Sequence, residues 1–160
     1  MEGLGVTSGG YFSQIQDDHQ EVYPGMYVSS FYLAGNKLEL EKIGVTHVLQ
    51  MGDFMEPKFP DEYTYKVCAL NDDPSNDVKQ FFIDGVKFID ECIEGGGVIL
   101  VHCAAGISRS GSMACAYLMW KNKIPFEEAL KMAQEKRSKI YPNMGFRRQL
   151  LEYEKEILEN

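Results

Sequence analysis

The stretch "VILVHCAAGISRSGSMACAYLMW", residues 98–120, restricts the possible folds more than any other part of the chain. "VILVH" (98–102) shows no polar alternation, as expected of a central strand covered on both faces. A glycine and serine turn follows, and then a helical pattern that runs to about Asn122. A strand covered on both faces needs helices above and below it. The expected fold is therefore α/β, with a mostly parallel central sheet of about five strands flanked by helices. At the crossing from strand to helix sit His102, Cys103 and, six residues after the cysteine, Arg109.

The rest of the chain agrees with alternating strands and helices. "MYVSS" (26–30) reads as a short strand, Asn36 can cap a helix over "KLELEKI" that Gly44 stops, and "THVLQM" (46–51) reads as a buried strand. "GDFMEPKFPDE" is a loop by its Gly, Pro and Asp content, "YTYKVCAL" (63–70) a third strand, and "NDDPSND" another loop. Val78, Phe81, Phe82, Val86, Ile89 and Ile93 recur at helical spacing up to Gly95-Gly96-Gly97. A helix is expected from near Pro125 to about Arg137, and a last one capped by Asn143, with Phe146, Leu150 and Ile157 on one face. Residues 1–20 show no sustained period and are expected to be a loose arm or a short covering helix. A length of 160 residues without repeat or linker suits one domain, here residues 21–158.

The loop between strand and helix has a clear chemical reading. Ligands bind open α/β sheets at the carboxyl ends of their strands. A helix N-terminus there offers unpaired N–H groups and about half a positive charge, an anion cradle. Gly106 permits the backbone angles that turn successive N–H groups inward, and Arg109 adds a planar fork matched to phosphate oxygens. Such a field favours the thiolate form of a cysteine, so Cys103 is expected to be an in-line nucleophile for phosphorus. Ala104, Ala105, Gly106, Ile107, Ser108 and Arg109 would then line the bound phosphate. GxxxxGK[ST] is absent, so the glycines do not form a nucleotide-binding P-loop.

Composition narrows the alternatives. The net charge of −8 argues against nucleic acid as a partner, because phosphate backbones select basic surfaces. The one basic cluster, Lys136, Arg137, Lys139, Arg147 and Arg148, is expected to be a solvated helix face, with a phosphate-facing role as the alternative. No apolar run approaches the ~20 residues of a membrane span, and neither end carries a signal-peptide or lipidation pattern. The expected compartment is cytoplasm or nucleus, and the expected state is a monomer. Cys68, Cys92, Cys103 and Cys115 form no CxxC pair, which disfavours a zinc site. All but Cys103 sit in apolar patterns and read as small buried hydrophobes. His19 and His47 read as structural. Trp120, Phe88 and the methionines read as core.

"HCAAGISRS" (102–110) resembles the H-C-x-x-G-x-x-R-S signature of cysteine-dependent protein phosphatases, and more closely the small dual-specificity branch. "EVYPGMYVSS", "LEKIGVTHVLQ", "YKVCALNDDPSNDVKQFF" and "YPNMGFRRQLLEYE" resemble the corresponding segments of that family, so the likeness runs from about Glu21 to Glu156. It implies the family's fold and a general acid on a loop upstream of the nucleophile. Counted back from Phe81-Phe82, the family register falls on Asp72, with its neighbour Asp73 as the alternative. The resemblance also implies that Ser110 donates a hydrogen bond to Cys103, that His102 holds the loop backbone, and that Asn143 braces it. It implies no metal and no cofactor. In some relatives a second cysteine protects the nucleophile on oxidation, a role that Cys68 or Cys115 could fill here.

Within that resemblance the implied reaction is hydrolysis of phosphate monoesters on protein Tyr and Ser/Thr side chains through a cysteinyl-phosphate. Lipid phosphatases of the superfamily carry lysines inside the loop, whereas Ala104, Ala105, Ile107 and Ser108 are uncharged. The alternatives are a non-protein phosphate (a phosphoinositide or an RNA 5′-phosphate) and a phospho-dependent binding module with little turnover. Such modules usually lose the cysteine or the arginine, and both are present.

Overall fold

The apolar run at residues 98–102 takes the position that its composition requires. In the computed structural model, which describes residues 18–159, Ile99–His102 is the middle strand of five. Numbered along the chain, the strands are β1 (His19–Tyr23), β2 (Met26–Ser29), β3 (His47–Met51), β4 (Thr64–Cys68) and β5 (Ile99–His102), in the spatial order β1-β2-β5-β3-β4. β5 runs parallel to both β2 and β3, β3 runs parallel to β4, and only β1 is antiparallel to its neighbour. All four residues of β5 are buried. Successive side chains point to opposite faces, and both faces are covered. Ile99 and Val101 join Val28, Leu49 and Met51 in the larger core, while Leu100 joins Val48, Leu33 and Leu40 in a smaller one on the other face.

Two short helices, α1 (Phe31–Ala34) and α2 (Lys37–Ile43), supply the smaller core. Asn36 caps α2 as its sequence suggests, accepting the Glu39 N–H at 3.3 Å, and Gly44 ends the helix in a left-handed conformation at φ +83°. The larger core lies under α3 (Phe82–Glu94), α4 (Arg109–Asn122), α5 (Phe126–Lys136) and α6 (Met144–Leu158). A single 3₁₀ turn, Lys79–Phe81, leads into α3, and Asn143 caps α6 by accepting the Phe146 N–H at 2.9 Å. α4 is buried along most of its length because it packs between the sheet and the neighbouring helices. Among the described residues no helix is long and apolar enough to cross a membrane.

Three expectations need correction or qualification. Most of the arm expected over residues 1–20 lies outside the described residues, but His19 and Gln20 already belong to β1. That strand escapes notice because "HQEVY" buries only Val22. Met144, read as core, projects into solvent from the start of α6, and Trp120 and Phe88 sit half-buried at the rim of the larger core. The basic cluster is no uniform solvated face: Arg137 is only 1 % exposed.

Candidate active site

Cys103 follows β5 directly, and Arg109 opens α4, so one seven-residue segment joins the sheet edge to a helix N-terminus. Cys103 is itself 2 % exposed, because the loop folds over it. Its Sγ lies 3.1 Å from Ser110 Oγ and accepts the Gly106 N–H at 3.2 Å. Burial, more than any nearby charge, pushes the Cys68 thiol up to about 11 and the Cys115 thiol up to about 12. Those two remain protonated at neutral pH, and all four cysteines are free.

The carbonyl groups of the loop explain where its N–H groups go. The Ala104 oxygen accepts the Phe31 N–H at 3.1 Å, and the Ile107 oxygen accepts the Tyr141 N–H at 3.0 Å. Arg137 Nε donates to the Gly106 oxygen at 2.9 Å, and a terminal nitrogen of the same guanidinium donates to Ala105 at 3.3 Å. Ser112 donates to the Ser108 oxygen through both its N–H, at 2.8 Å, and its hydroxyl, at 2.7 Å. In a planar trans peptide the carbonyl and the following N–H point in opposite directions. Carbonyls drawn outward therefore turn the N–H groups of Ala105, Gly106, Ile107, Ser108 and Arg109 towards the inside. The Gly106 N–H on the cysteine sulfur is the visible result. Gly106 itself sits at φ +70°, and a Cβ there would stand 2.6 Å from the Ser29 carbonyl carbon and crowd the Arg137 guanidinium. No other residue type fits.

Arg109 is held from two sides. One terminal nitrogen donates to the Leu70 oxygen at 3.3 Å, and its Cζ lies 5.3 Å from the centre of the Phe54 ring. Its Nε finds no partner among the described residues. His102 is fully buried, with Nδ1 3.4 Å from the Cys103 carbonyl oxygen. Burial pushes its imidazole down to about 4, and the nearby Arg109 charge acts in the same direction, so His102 is neutral under physiological conditions. That suits a group holding backbone better than a base.

The two candidate acids differ sharply in their surroundings. Asp73 Oδ1 accepts both the Ser75 hydroxyl, at 2.7 Å, and the Ser75 N–H, at 2.8 Å. These bonds hold its carboxyl below the usual carboxylate range. It is a turn-forming anion and a poor proton donor. Asp72 Oδ1 instead accepts the Asn143 side-chain amide at 2.9 Å, while the Asn143 backbone N–H donates to Ser108 Oγ at 2.9 Å. Asn143 thus joins the Asp72 loop to the cysteine loop, and its remaining oxygen caps α6.

Sequence reasoning missed several residues that order these loops. Gln149 accepts the Lys79 N–H at 3.0 Å and donates to the Asn76 oxygen at 2.8 Å, tying the Asp72 loop to α6. Gly145 lets the Pro74 backbone pack directly on the first turn of that helix, where a Cβ would overlap it. Arg137 is the largest omission. Besides its two loop carbonyls it binds Asp18 at 2.8 Å and Gln20 at 2.7 Å through one terminal nitrogen. Burial of Asp18 opposes its ionisation, but its bonds to Lys139 and Arg137 outweigh that and lower its pKa. The sequence signals its burial but not its partners, since Leu130, Ala133 and Arg137 share one helical face and the first two are apolar.

Arg137→Met should therefore destabilise the fold by roughly 3–5 kcal/mol, as expected when one partner of a buried charged network is removed. The measurement is the urea midpoint. With the variant held under conditions where it is fully folded, turnover of an aryl phosphate should still fall, because the Ala105 and Gly106 carbonyls lose what turns them outward.

The family model described as "Dual specificity phosphatase, catalytic domain" matches residues 26–156. Dual specificity protein phosphatase 1B of Arabidopsis thaliana is 35 % identical over 158 residues, covering 99 % of this chain and 95 % of that protein. Human dual specificity protein phosphatase 4 is 35 % identical over 155 residues, covering 97 % of this chain but only 39 % of that longer protein. The crystal structure of human tyrosine phosphatase-like serine/threonine/tyrosine-interacting protein superposes with a TM-score of 0.81 at 35 % identity, covering 85 % of this chain and 95 % of that one. The chain belongs to the dual-specificity phosphatase family. It is a cysteine-dependent protein phosphatase of that class.

Proposed function

We propose that this protein hydrolyses phosphate monoesters on protein tyrosine and on serine or threonine side chains through a cysteinyl-phosphate. The observation that carries the reading is the Cys103 sulfur, set between the Ser110 hydroxyl and the Gly106 N–H at the floor of a loop whose carbonyls are turned outward. Phosphate enters this cradle with its charge matched by inward N–H groups and the Arg109 guanidinium. The Cys103 thiolate attacks phosphorus in line, and the ester P–O bond breaks as the S–P bond forms. Asp72 gives its proton to the departing oxygen. The Asp72 carboxylate then takes a proton from water, whose oxygen attacks phosphorus. The S–P bond breaks, and the leaving thiolate is stabilised by the Ser110 hydroxyl. The balance is ester plus water giving alcohol plus phosphate.

The uncharged side chains of Ala104, Ala105, Ile107 and Ser108 favour a side chain carrying a single phosphate over a polyphosphorylated head group. Turnover measured with a chelator present should be highest for phosphotyrosine peptides, and slower but measurable for phosphothreonine peptides. A soluble phosphoinositide or a 5′-phosphorylated RNA hydrolysed far faster than any phosphopeptide would overturn the substrate class and leave the chemistry standing.

A further inference from the structure

Beside the cysteine loop stands a small wall of uncovered aromatic rings. Phe31 and Tyr32 open α1, and their rings stack at a centroid distance of 4.2 Å. The Phe54 ring meets Phe31 edge-on at 6.3 Å and carries the Arg109 guanidinium on its face. Phe31, Tyr32 and Phe54 remain 38 %, 51 % and 43 % exposed respectively, although Phe31 meets both of the others. Contiguous exposed apolar surface of this kind marks a contact site more often than scattered single residues do.

The wall is built into the fold. The Phe31 N–H is bonded to the Ala104 carbonyl, so the start of α1 is fixed to the phosphate cradle. The buried Gln50 donates from its side-chain amide to the Gly52 and Met55 oxygens, both at 2.8 Å, and so clamps the turn that presents Phe54. Gly52 in that turn lies at φ +132°, and a Cβ there would stand 2.7 Å from Arg109 and 2.8 Å from the Phe54 ring. Only glycine lets backbone, guanidinium and ring come so close.

We propose that Phe31, Tyr32 and Phe54 receive an apolar side chain one or two residues from the phosphorylated residue of a protein substrate; this rests on the protein-phosphatase reading above. Any phosphate held by Arg109 lies next to Phe54. In an extended peptide the neighbouring residues stand about 3.5–7 Å along the chain. The Phe54 ring centre, 5.3 Å from the Arg109 Cζ, falls within that span, and Phe31 adjoins Phe54. The local charge fits a polypeptide better than an anionic bilayer, because exposed Asp53 and Glu56 flank Phe54 against one exposed lysine, Lys58, in the same loop. The same acids work against acidic residues beside the phosphorylated one.

Binding is read with the Cys103→Ser protein and labelled phosphotyrosine peptides that carry leucine or serine at the two positions on each side. The leucine peptide should bind roughly tenfold more tightly, as burial of an apolar side chain predicts. Adding Phe31→Ser and Tyr32→Ser should bring the two affinities within about twofold of each other. Ile83→Ser, on α3 in a separate groove with Trp120 and Ile157, should leave the tenfold preference intact. Equal affinities in the parent protein, or a preference that survives the double substitution, would overturn the proposal. So would binding to phosphoinositide-containing vesicles that the double substitution abolishes while the peptides show no preference. Hydrolysis of 4-nitrophenyl phosphate by the wild type reads the underlying chemistry separately, and its absence would count against the phosphatase reading while the peptide ratio still decides the wall.

Discussion

Cys103→Ser should abolish turnover of every phosphate ester while leaving phosphate binding largely in place. The substitution exchanges one atom, and the loop around it is held by bonds that do not involve the sulfur, from Phe31, Tyr141, Arg137 and Ser112. Arg109 and the inward N–H groups stay where they are. What changes is the nucleophile. A serine hydroxyl keeps its proton at neutral pH, and His102, fully buried with its imidazole pushed down to about 4, is too weak a base to remove it. Loss of a covalent nucleophile costs on the order of 10⁵-fold or more. Turnover of an aryl phosphate and trapping of a labelled phosphoenzyme are the measurements. Substantial activity in the variant would overturn the cysteinyl-phosphate route.

Asp72→Asn should lower turnover of alkyl and phenolic phosphates by roughly 10²–10⁴-fold, the usual contribution of a positioned general acid. The loss should be much smaller for an activated ester, whose departing oxygen needs no proton. The basic limb of the pH–rate profile should flatten too, because it reports loss of the protonated acid. Binding of an unreactive phosphate analogue should barely change, since Cys103 and Arg109 remain in place. Asp73→Asn is the matched comparison. Its carboxylate is tied to Ser75, so its loss should loosen the turn over Asp73–Asn76 without the dependence on leaving group. If Asp73→Asn shows the whole pattern and Asp72→Asn none of it, the acid is Asp73.

The family register pointed to Asp72, but adjacent aspartates look alike in a sequence. Folding separates them. Asp73 turns to a residue two positions away, whereas Asp72 meets Asn143, 71 positions away. The strand β1 went unread for a related reason, since an edge strand of mixed polarity carries little periodic signal. The basic cluster shows the limit most clearly. Counted as charge, Arg137 is one cation among five, yet it packs beneath Gly106 and joins the loop to Asp18.

Legible in the sequence alone were the layered fold and the short loop that carries Cys103 and Arg109 between strand and helix. The loop closes within seven residues, and the apolar pattern of residues 98–102 already demands cover on both faces. Packing decided which groups hold the loop carbonyls, which aspartate bonds Asn143 and which aromatic rings stay uncovered beside the loop. The physical reason is distance along the chain. Arg137 reaches Gly106 across 31 positions and Asp18 across 119. Pairing between polar groups that far apart leaves no periodic trace in sequence, and only packing brings them within hydrogen-bonding distance.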